Sequence, residues 1–457
     1  MFVGRSKELQ ELNNIYLKDE NQVLILYGQW GIGKTTLLKK FLENKEYYFY
    51  KAVSCSQAKQ RDCLARYLTT MGFSFSDLPE YKEIFSKLRE QKEKKRILVI
   101  DQVHNLCKND PEFLEIMNSV LMENSRDNDL LIILVSSSIS WAENLRQTWK
   151  ETGDNKQIIF YKIEELKYRD FKEYFSELSL EESIGVYGIL GGIPGLWKYF
   201  CKDLSLKENV IQNILKKRSP MSRLGEQLVA EELRETSVYN TILVCLAEGK
   251  EKLNDIFHGT GFSRAKISVY LKNLMQLDLV EKVVSLDTDG REFTKKGVYR
   301  IRNSYVHFYY RFLFGKESLL YWQGEEAFYE KEILPYLNSF MKESFRQVCL
   351  DFIEKENLLG RLPGNFVYQG YWYGKKGSID FIYEDSEEGE ILAGICRLNK
   401  ENLSMEEYQC FLECEKQSDI KVDFVIVFSM GGFDNYLREA AKKNPRLALI
   451  SMGKMGL

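Results

Sequence analysis

The sequence predicts an α/β protein whose amino-terminal part is a doubly wound parallel sheet. Three observations lead there. Val23 to Tyr27 is an apolar, β-prone run that breaks at Gly28 and passes into the loop GQWGIGKT. Three further runs, YYFYKAV from Tyr47, RILVI from Arg96 and DLLIILVSS from Asp129, have the continuous apolar character of buried parallel strands. Segments with helical periodicity separate them. In such a sheet a ligand sits at the carboxyl ends of the strands.

The loop comes first because its spacing is the most specific. Gly28 to Thr35 fits the phosphate-loop pattern GxxxxGK[ST] at every fixed position. Gly28 and Gly33 let the backbone curl so that successive N–H groups face phosphate oxygens. The amphipathic helix beginning near Gly33 adds its positive end. Lys34 reaches the β- and γ-phosphates, and the Thr35 hydroxyl holds Mg²⁺. Gly28, Gln29, Trp30, Gly31, Ile32, Gly33, Lys34, Thr35 and Thr36 are thus the expected nucleotide-binding set. The alternative is a glycine-rich strand-to-helix turn without a ligand. No guanine-reading NKxD motif is present, which favours ATP over GTP.

The strand ending at Ile100 is followed by Asp101 and Gln102. A carboxylate after a hydrophobic strand is the Walker B element, which supports the Mg²⁺ beside the phosphate loop. Hydrolytic P-loop proteins usually carry a second carboxylate next, to polarise the attacking water. Glutamine orients water but is a poor proton acceptor. Tight binding with slow turnover is therefore expected, unless another residue positions the water. Asp101 and Gln102 are the candidate catalytic pair, and Thr35 and Asp101 the candidate metal set. Ser136, Ser137 and Ser138 end the LLIILV run. Ser137 is the candidate contact to the γ-phosphate, with a serine-rich turn or an N-cap before Trp141 as the alternative.

At 457 residues the chain holds two to four domains of roughly 150 residues. Apolar residues make up 44% and charged residues 29%, which argues against long disorder. The net charge of −3 excludes a global field towards nucleic acid or membrane, so any DNA contact needs a local patch. Nine cysteines lack CxxC pairing and three histidines are too few for a His-rich metal site, so a reducing, cytoplasmic setting is expected. The longest apolar stretch, Leu130 to Val135, is far too short to span a bilayer.

With these motifs in place, the chain resembles the archaeal-type ATPases of the signal-transduction (STAND) branch of P-loop, AAA-like ATPases. The resemblance rests on FVGRSKELQEL at the start, the phosphate loop, RILVID, LIILVSSS and the Tyr187–Pro194 segment YGILGGIP. It implies that Phe2, Val3, Gly4 and Arg5 lie around the adenine. From the residues alone, the opening is equally a helix start with a hydrophobic staple. It also implies a helical lid ending at GGIP, with Pro194 near the nucleotide, although as bare sequence Gly191 to Pro194 is a turn between helices. The family usually has Asp-Glu at Walker B, so Gln102 is a departure.

Residues 237–300 read as two helices, a tight turn at Gly261–Ser263 with Ser263 as N-cap, a longer helix, and an alternating hairpin around Asp289-Gly290. That order is a winged helix-turn-helix, which the family also places here. Arg264, Lys266, Ser268 and Lys272 on the helix, with Arg291, Lys295 and Lys296 on the wing, are the candidate DNA contacts. Between 253 and 300 there are eight basic and six acidic residues, a weak excess for a DNA reader. A protein-interaction or autoinhibitory role stays open beside DNA binding.

From about 313 the sequence turns aromatic at helical spacing, which predicts packing more than a base-stacking platform. The carboxy-terminal part resembles a domain that follows many archaeal-type ATPases, with a restriction-endonuclease-like PD-(D/E)xK α/β fold. Asp380 occupies the acidic position, but Ile395-Cys396-Arg397 stands at Glu-x-Lys and Arg346 at the helical glutamate. One carboxylate alone is a poor Mg²⁺ site, so a catalytically dead domain is expected. Glu384, Asp385, Glu387 and Glu388 are expected to form a solvated acidic hairpin tip.

The expected division is 1–163 ATPase core, 164–235 helical lid, 236–312 winged helix, 313–335 aromatic connector and 336–457 nuclease-like domain. The expected activity is an ATP- and Mg²⁺-dependent switch with slow hydrolysis. A competent ATPase and a winged-helix DNA-binding regulator are the alternatives. The expected partners are an adenine nucleotide and, through the winged helix, DNA or a protein. A homo-oligomer stays open and no membrane partner is expected.

Overall fold

The structure, a computed structural model, describes residues 2–18, 22–90, 95–122, 130–152, 158–230, 233, 235–286, 297–374, 377–451, 453 and 455. The chain divides into two compact units, one of Met1–Glu165 with Ile193–Gly195, the other of Leu166–Gly192 with Leu196–Leu457.

The first unit is built on β1 (Gln22–Tyr27), β2 (Tyr47–Lys51), β3 (Arg96–Asp101), β4 (Leu130–Ser136) and β5 (Ile158–Lys162). All pairings are parallel, in the order β2-β3-β4-β1-β5. Every residue of β1, β3 and β4 is buried, as expected of continuous apolar runs with neighbours on both sides. At the edge, β2 points Tyr48 and Tyr50 inward and leaves Tyr47 and Lys51 exposed. The sequence reading identified four strands, and the structure adds β5. Its five residues are only half-buried on an edge, so it lacks the apolar continuity that marks the central strands.

Register fixes what the sheet presents. Tyr27 lies opposite Ser136 on β4, and Asp101 opposite Val135. The loop after β1, the carboxylate ending β3 and the serines ending β4 therefore emerge from one edge. The strand order sets β4 between the other two.

In the second unit, helices Thr236–Ala247, Leu253–Thr260 and Arg264–Gln276 precede β6 (Val280–Val283) and β7 (Val298–Ile301), an antiparallel pair. Gly261 closes the second helix in a left-handed conformation at φ 69°, and the Ser263 side chain accepts from the Lys266 N–H to start the third. Asp289, Gly290, Arg291, Lys295 and Lys296 lie outside the described residues. Tyr305, Phe308, Tyr309, Tyr310 and Phe312 are buried along helix Ser304–Phe312, and beyond 313 Phe328 and Tyr329 are buried too, whereas Tyr321 and Trp322 are 88% and 80% exposed, so the aromatic stretch is packing only in part.

The carboxy-terminal sheet contains β8 (Phe366–Tyr373), β9 (Ser378–Asp385), β10 (Ile391–Arg397), β11 (Phe424–Ser429) and β12 (Leu447–Ser451). Its order is β12-β11-β10-β9-β8, antiparallel from β8 to β10 and parallel from β10 to β12. Helix Lys342–Leu358 serves three neighbours within this unit. Phe352 packs edge-on against Phe428 of β11, with ring centroids 5.8 Å apart. Glu343 pairs with Arg300 of β7 at 3.3 Å. Asp351 accepts the Tyr168 N–H at 2.6 Å, at the start of helix Tyr168–Tyr174, and Glu354 pairs with Lys167.

One expectation is corrected here. Asp385 is buried, not part of a solvated tip. Its Oδ1 accepts from the Glu388 and Glu387 N–H groups at 2.7 and 2.9 Å, and Oδ2 from Asn365 at 2.6 Å. These donors, Glu388 foremost, hold its carboxyl below the usual range. The residue closes the β9–β10 turn by bonding the backbone two and three positions on.

Candidate nucleotide site

Gly28, Gly31 and Gly33 have φ values of 154°, 77° and 98°, a conformation L side chains rarely adopt. At Gly28 space also forbids a side chain, because a Cβ would lie 2.7 Å from the Ile163 carbonyl oxygen. Helix Lys34–Phe41 follows with Gly33 at its N-cap, and no side chain caps its first amides. That combination of inward-turned backbone and uncapped helix start suits an anion. Lys34 is buried and its ammonium curls back over the loop, donating to the Gly28 and Gln29 carbonyls at 2.6 and 3.0 Å. Gln29 donates to Glu165 at 2.8 Å. Thr35 and Thr36 are exposed on the first turn.

At the end of β3, Asp101 is buried, and its Oδ1 accepts the Gln102 N–H at 2.9 Å. Burial pushes its carboxyl above the usual value, opposed by that N–H and by the Lys34 and Lys51 ammonium groups. The Lys34 charge therefore reaches Asp101. Gln102 has φ 60°, an uncommon conformation for a non-glycine residue, which costs on the order of 1 kcal/mol. The kink brings its Oε1 to accept from Ser137 Oγ at 3.0 Å. Gln102 and Ser137, singled out separately in the sequence, thus meet. The serine run divides its work. Ser137 bonds Gln102, whereas Ser138 Oγ accepts the Trp141 N–H at 3.4 Å and caps helix Ile139–Thr152.

Two parts of the family-like motifs also converge on this loop. Arg5 donates through Nη2 to the Ile32 carbonyl at 3.0 Å and pairs with Glu8 at 2.7 Å. Val3 is buried and Phe2 half-buried. The segment Ile193–Gly195 lies directly on the loop. The Gly195 N–H donates to the Gly31 carbonyl at 2.8 Å, and Pro194 Cγ is 3.8 Å from where a Gly33 Cβ would stand.

Sequence reasoning missed three residues here. Gly195 immediately follows the GGIP motif. Glu165 lies three residues beyond the end of β5, and the acidic pair Glu164-Glu165 after IIFYKI was the available signal. His104 follows Asp101 by three positions and its Nδ1 lies 3.0 Å from Ser136 Oγ.

Residues 2–200 match a family model described as an ATPase domain predominantly from Archaea, and residues 309–409 one of archaeal and bacterial proteins of unknown function. The chain carries an archaeal-type ATPase domain. An uncharacterised protein of Methanocaldococcus jannaschii is 26% identical over 402 residues, 86% of each chain. An uncharacterised ATP-binding protein of the same organism is 48% identical over 46 residues, 10% of this chain and 78% of that one. A Walker-type ATPase of Pyrococcus abyssi is similar over 68% of this chain and 96% of that one, at 16% identity and a TM-score of 0.49. The ATPase domain assignment rests on the family model together with the phosphate loop.

The remaining candidates are distributed as follows. Arg264, Lys266, Ser268 and Lys272 are exposed on helix Arg264–Gln276, with the Arg264 guanidinium 4.2 Å from the Phe257 ring centroid and Lys266 4.6 Å from that of Phe262. In the carboxy-terminal sheet, Asp380 Oδ2 accepts from Cys396 N at 2.8 Å and Arg397 Nη1 at 2.9 Å, and Oδ1 accepts from Ser378 at 2.7 Å. Ile395 is fully buried, and Arg346 donates to the Asp380 carbonyl at 3.4 Å.

Proposed function

We propose that the protein is an ATP- and Mg²⁺-dependent molecular switch of the STAND-like, archaeal-type ATPases, with slow hydrolysis. The observation that carries this reading is the Lys34 ammonium folded over a loop of three positive-φ glycines, with the Asp101 carboxylate ending a strand of the same parallel sheet. Gly28 to Thr36 bind the phosphates, and Lys34 turns from the Gly28 and Gln29 carbonyls to the β/γ-phosphates. Thr35 and Asp101 would hold Mg²⁺, which when bound offsets phosphate charge. Phe2, Val3 and Arg5 line the adenine, and Pro194 closes over the loop. The relative that is named as ATP-binding supports adenine as the base.

Slow turnover follows from Gln102. Its Oε1 accepts from Ser137, which leaves the amide NH₂ to hold a water without taking its proton. Ser137 is the γ-phosphate contact because it sits between the loop and Asp101 in strand order. Residues 164–235 act as the helical lid and 236–312 as a winged-helix output module, joined through 313–335 to a nuclease-like scaffold at 336–457. Nucleotide occupancy selects between arrangements of these parts.

The test is calorimetric titration of Mg²⁺-ATP into nucleotide-free protein, with Lys34→Ala as control, followed by steady-state phosphate release. Binding that Lys34→Ala weakens at least about tenfold, with turnover below ~1 s⁻¹, is the expected result. Absence of binding overturns the reading. Turnover above that value restores the competent-ATPase alternative.

A further inference from the structure

His104 lies outside every motif described so far, yet its ring is tied into the same edge of the sheet. It stands on the first turn of helix Val103–Cys107, directly after the left-handed Gln102. Its Nδ1 lies 3.0 Å from Ser136 Oγ, on a fully buried serine opposite Tyr27 of β1. Ser136 Oγ also accepts the Ser138 N–H at 3.0 Å and has the Ser138 carbonyl as an acceptor at 3.1 Å.

That serine carries a single proton with two acceptors in reach, and the choice fixes the imidazole tautomer. When the proton goes to the Ser138 carbonyl, Nδ1–H donates to Oγ and Nε2 keeps a lone pair. When it goes to Nδ1, Nε2 carries the hydrogen and becomes a donor. No atom is gained or lost between these two states. Each differs from the other by one rotated hydroxyl and one relocated ring hydrogen. Burial, with the Lys34 and Lys108 ammonium groups behind it, pushes His104 down to about 4, so the ring is neutral near pH 7. A phosphate oxygen taken up by Ser137 displaces the adjoining Ser136 hydroxyl between its two acceptors, and the ring hydrogen follows.

We propose that His104 is a positioning residue that reports the terminal phosphate to the end of β4 through Ser136. The inference rests on the nucleotide-binding reading above. The link extends through adjoining residues: Ser137 bonds Gln102, and Ser138 caps the helix that follows. A change at Ser136 thus reaches both the water-orienting glutamine and the next helix. Discrimination between triphosphate and diphosphate is the property it serves.

The chain has three histidines, so the ring nitrogens of ¹⁵N-histidine-labelled protein give few signals, and Nδ1 and Nε2 shifts report the tautomer directly. His104 is identified by loss of its signal in His104→Gln. The titrants are Mg²⁺ with a non-hydrolysable ATP analogue, and Mg²⁺-ADP. The expected result is a tautomer change with the analogue and none with ADP. In His104→Gln and in Ser136→Ala the ratio of ADP to ATP-analogue dissociation constants should fall about fivefold or more, as loss of one hydrogen bond implies. Unchanged His104 signals in protein that binds both ligands overturn the proposal while leaving the nucleotide reading intact. Failure of wild-type protein to bind either ligand overturns both. Should His104→Gln not fold, the His258→Gln and His307→Gln spectra assign the other two signals, and the wild-type titration still decides the matter.

Discussion

Replacing Gly195 with alanine tests whether the segment after the GGIP motif is part of the phosphate loop's support. Gly195 has no left-handed φ, so alanine meets no backbone penalty there, only a lack of space. The added Cβ would stand 2.6 Å from Gly31 Cα, 2.8 Å from Gly31 O and 3.1 Å from Gly31 C. Carbon contacts settle near 3.5–4.0 Å, so the two backbones must part by roughly 1 Å. Doing so stretches the Gly195 N–H to Gly31 carbonyl bond, now 2.8 Å. Overpacking of this kind costs about 1–3 kcal/mol. If the phosphate loop yields, the strain appears as a ~5- to ~150-fold rise in the dissociation constant for Mg²⁺-ATP. If residues 193–195 yield instead, it appears as a lower Tm, by ~2–4 °C per kcal/mol. Calorimetric titration and thermal melts of the same preparation read both. A variant with binding within about twofold and Tm within about 1 °C of wild type would refute the reasoning.

Other expected outcomes concern Gln102, the second unit and the carboxy-terminal sheet. Gln102→Glu restores the missing carboxylate beside a hydroxyl that can still donate to it, so phosphate release should rise by ~10²-fold, measured at saturating Mg²⁺-ATP. Burial raises Asp351 to about 6 from an ordinary 3.8, so the folded protein holds that proton more tightly than the unfolded chain. The stability this contributes is full below pH ~4 and is lost as pH rises through about 6, with a ceiling on the order of 3 kcal/mol. Asp351→Asn should flatten urea-unfolding stability over that window, and an unchanged slope would count against the assignment. Asp380 spends both oxygens on Cys396, Arg397 and Ser378, so wild type and Asp380→Asn should be equally inert towards plasmid DNA with Mg²⁺. Cleavage that the substitution abolishes would overturn that expectation.

What was legible in the sequence follows from how local each feature is. The phosphate loop needs glycines and a lysine at fixed offsets, so Gly28, Gly33 and Lys34 announce themselves. The central strands β1, β3 and β4 are buried on both faces and read as unbroken apolar runs. Strand β5 sits on an edge, half-buried, and its IIFYK pattern says little by itself. The meeting of Gln102 with Ser137 depends on strand order across 35 positions, which no local pattern encodes. Asp385 was misread because an acidic cluster looks solvated until the turn it closes is known. Gly195 and His104 escaped for a related reason. A single glycine or histidine carries no period, and each becomes informative only when a distant backbone or hydroxyl is brought to it.

Helix Lys342–Leu358 has a practical consequence for anyone dividing the chain. Its Asp351 accepts the Tyr168 N–H, a residue inside the stretch that matches the ATPase model, whereas the helix belongs to the second matched stretch. Expressing residues 2–200 alone would therefore strip an acceptor from the start of helix Tyr168–Tyr174 and expose the buried aromatic cluster of Tyr168, Phe171 and Trp197. The borders recognised by sequence models are not the seams along which this polypeptide can be cut.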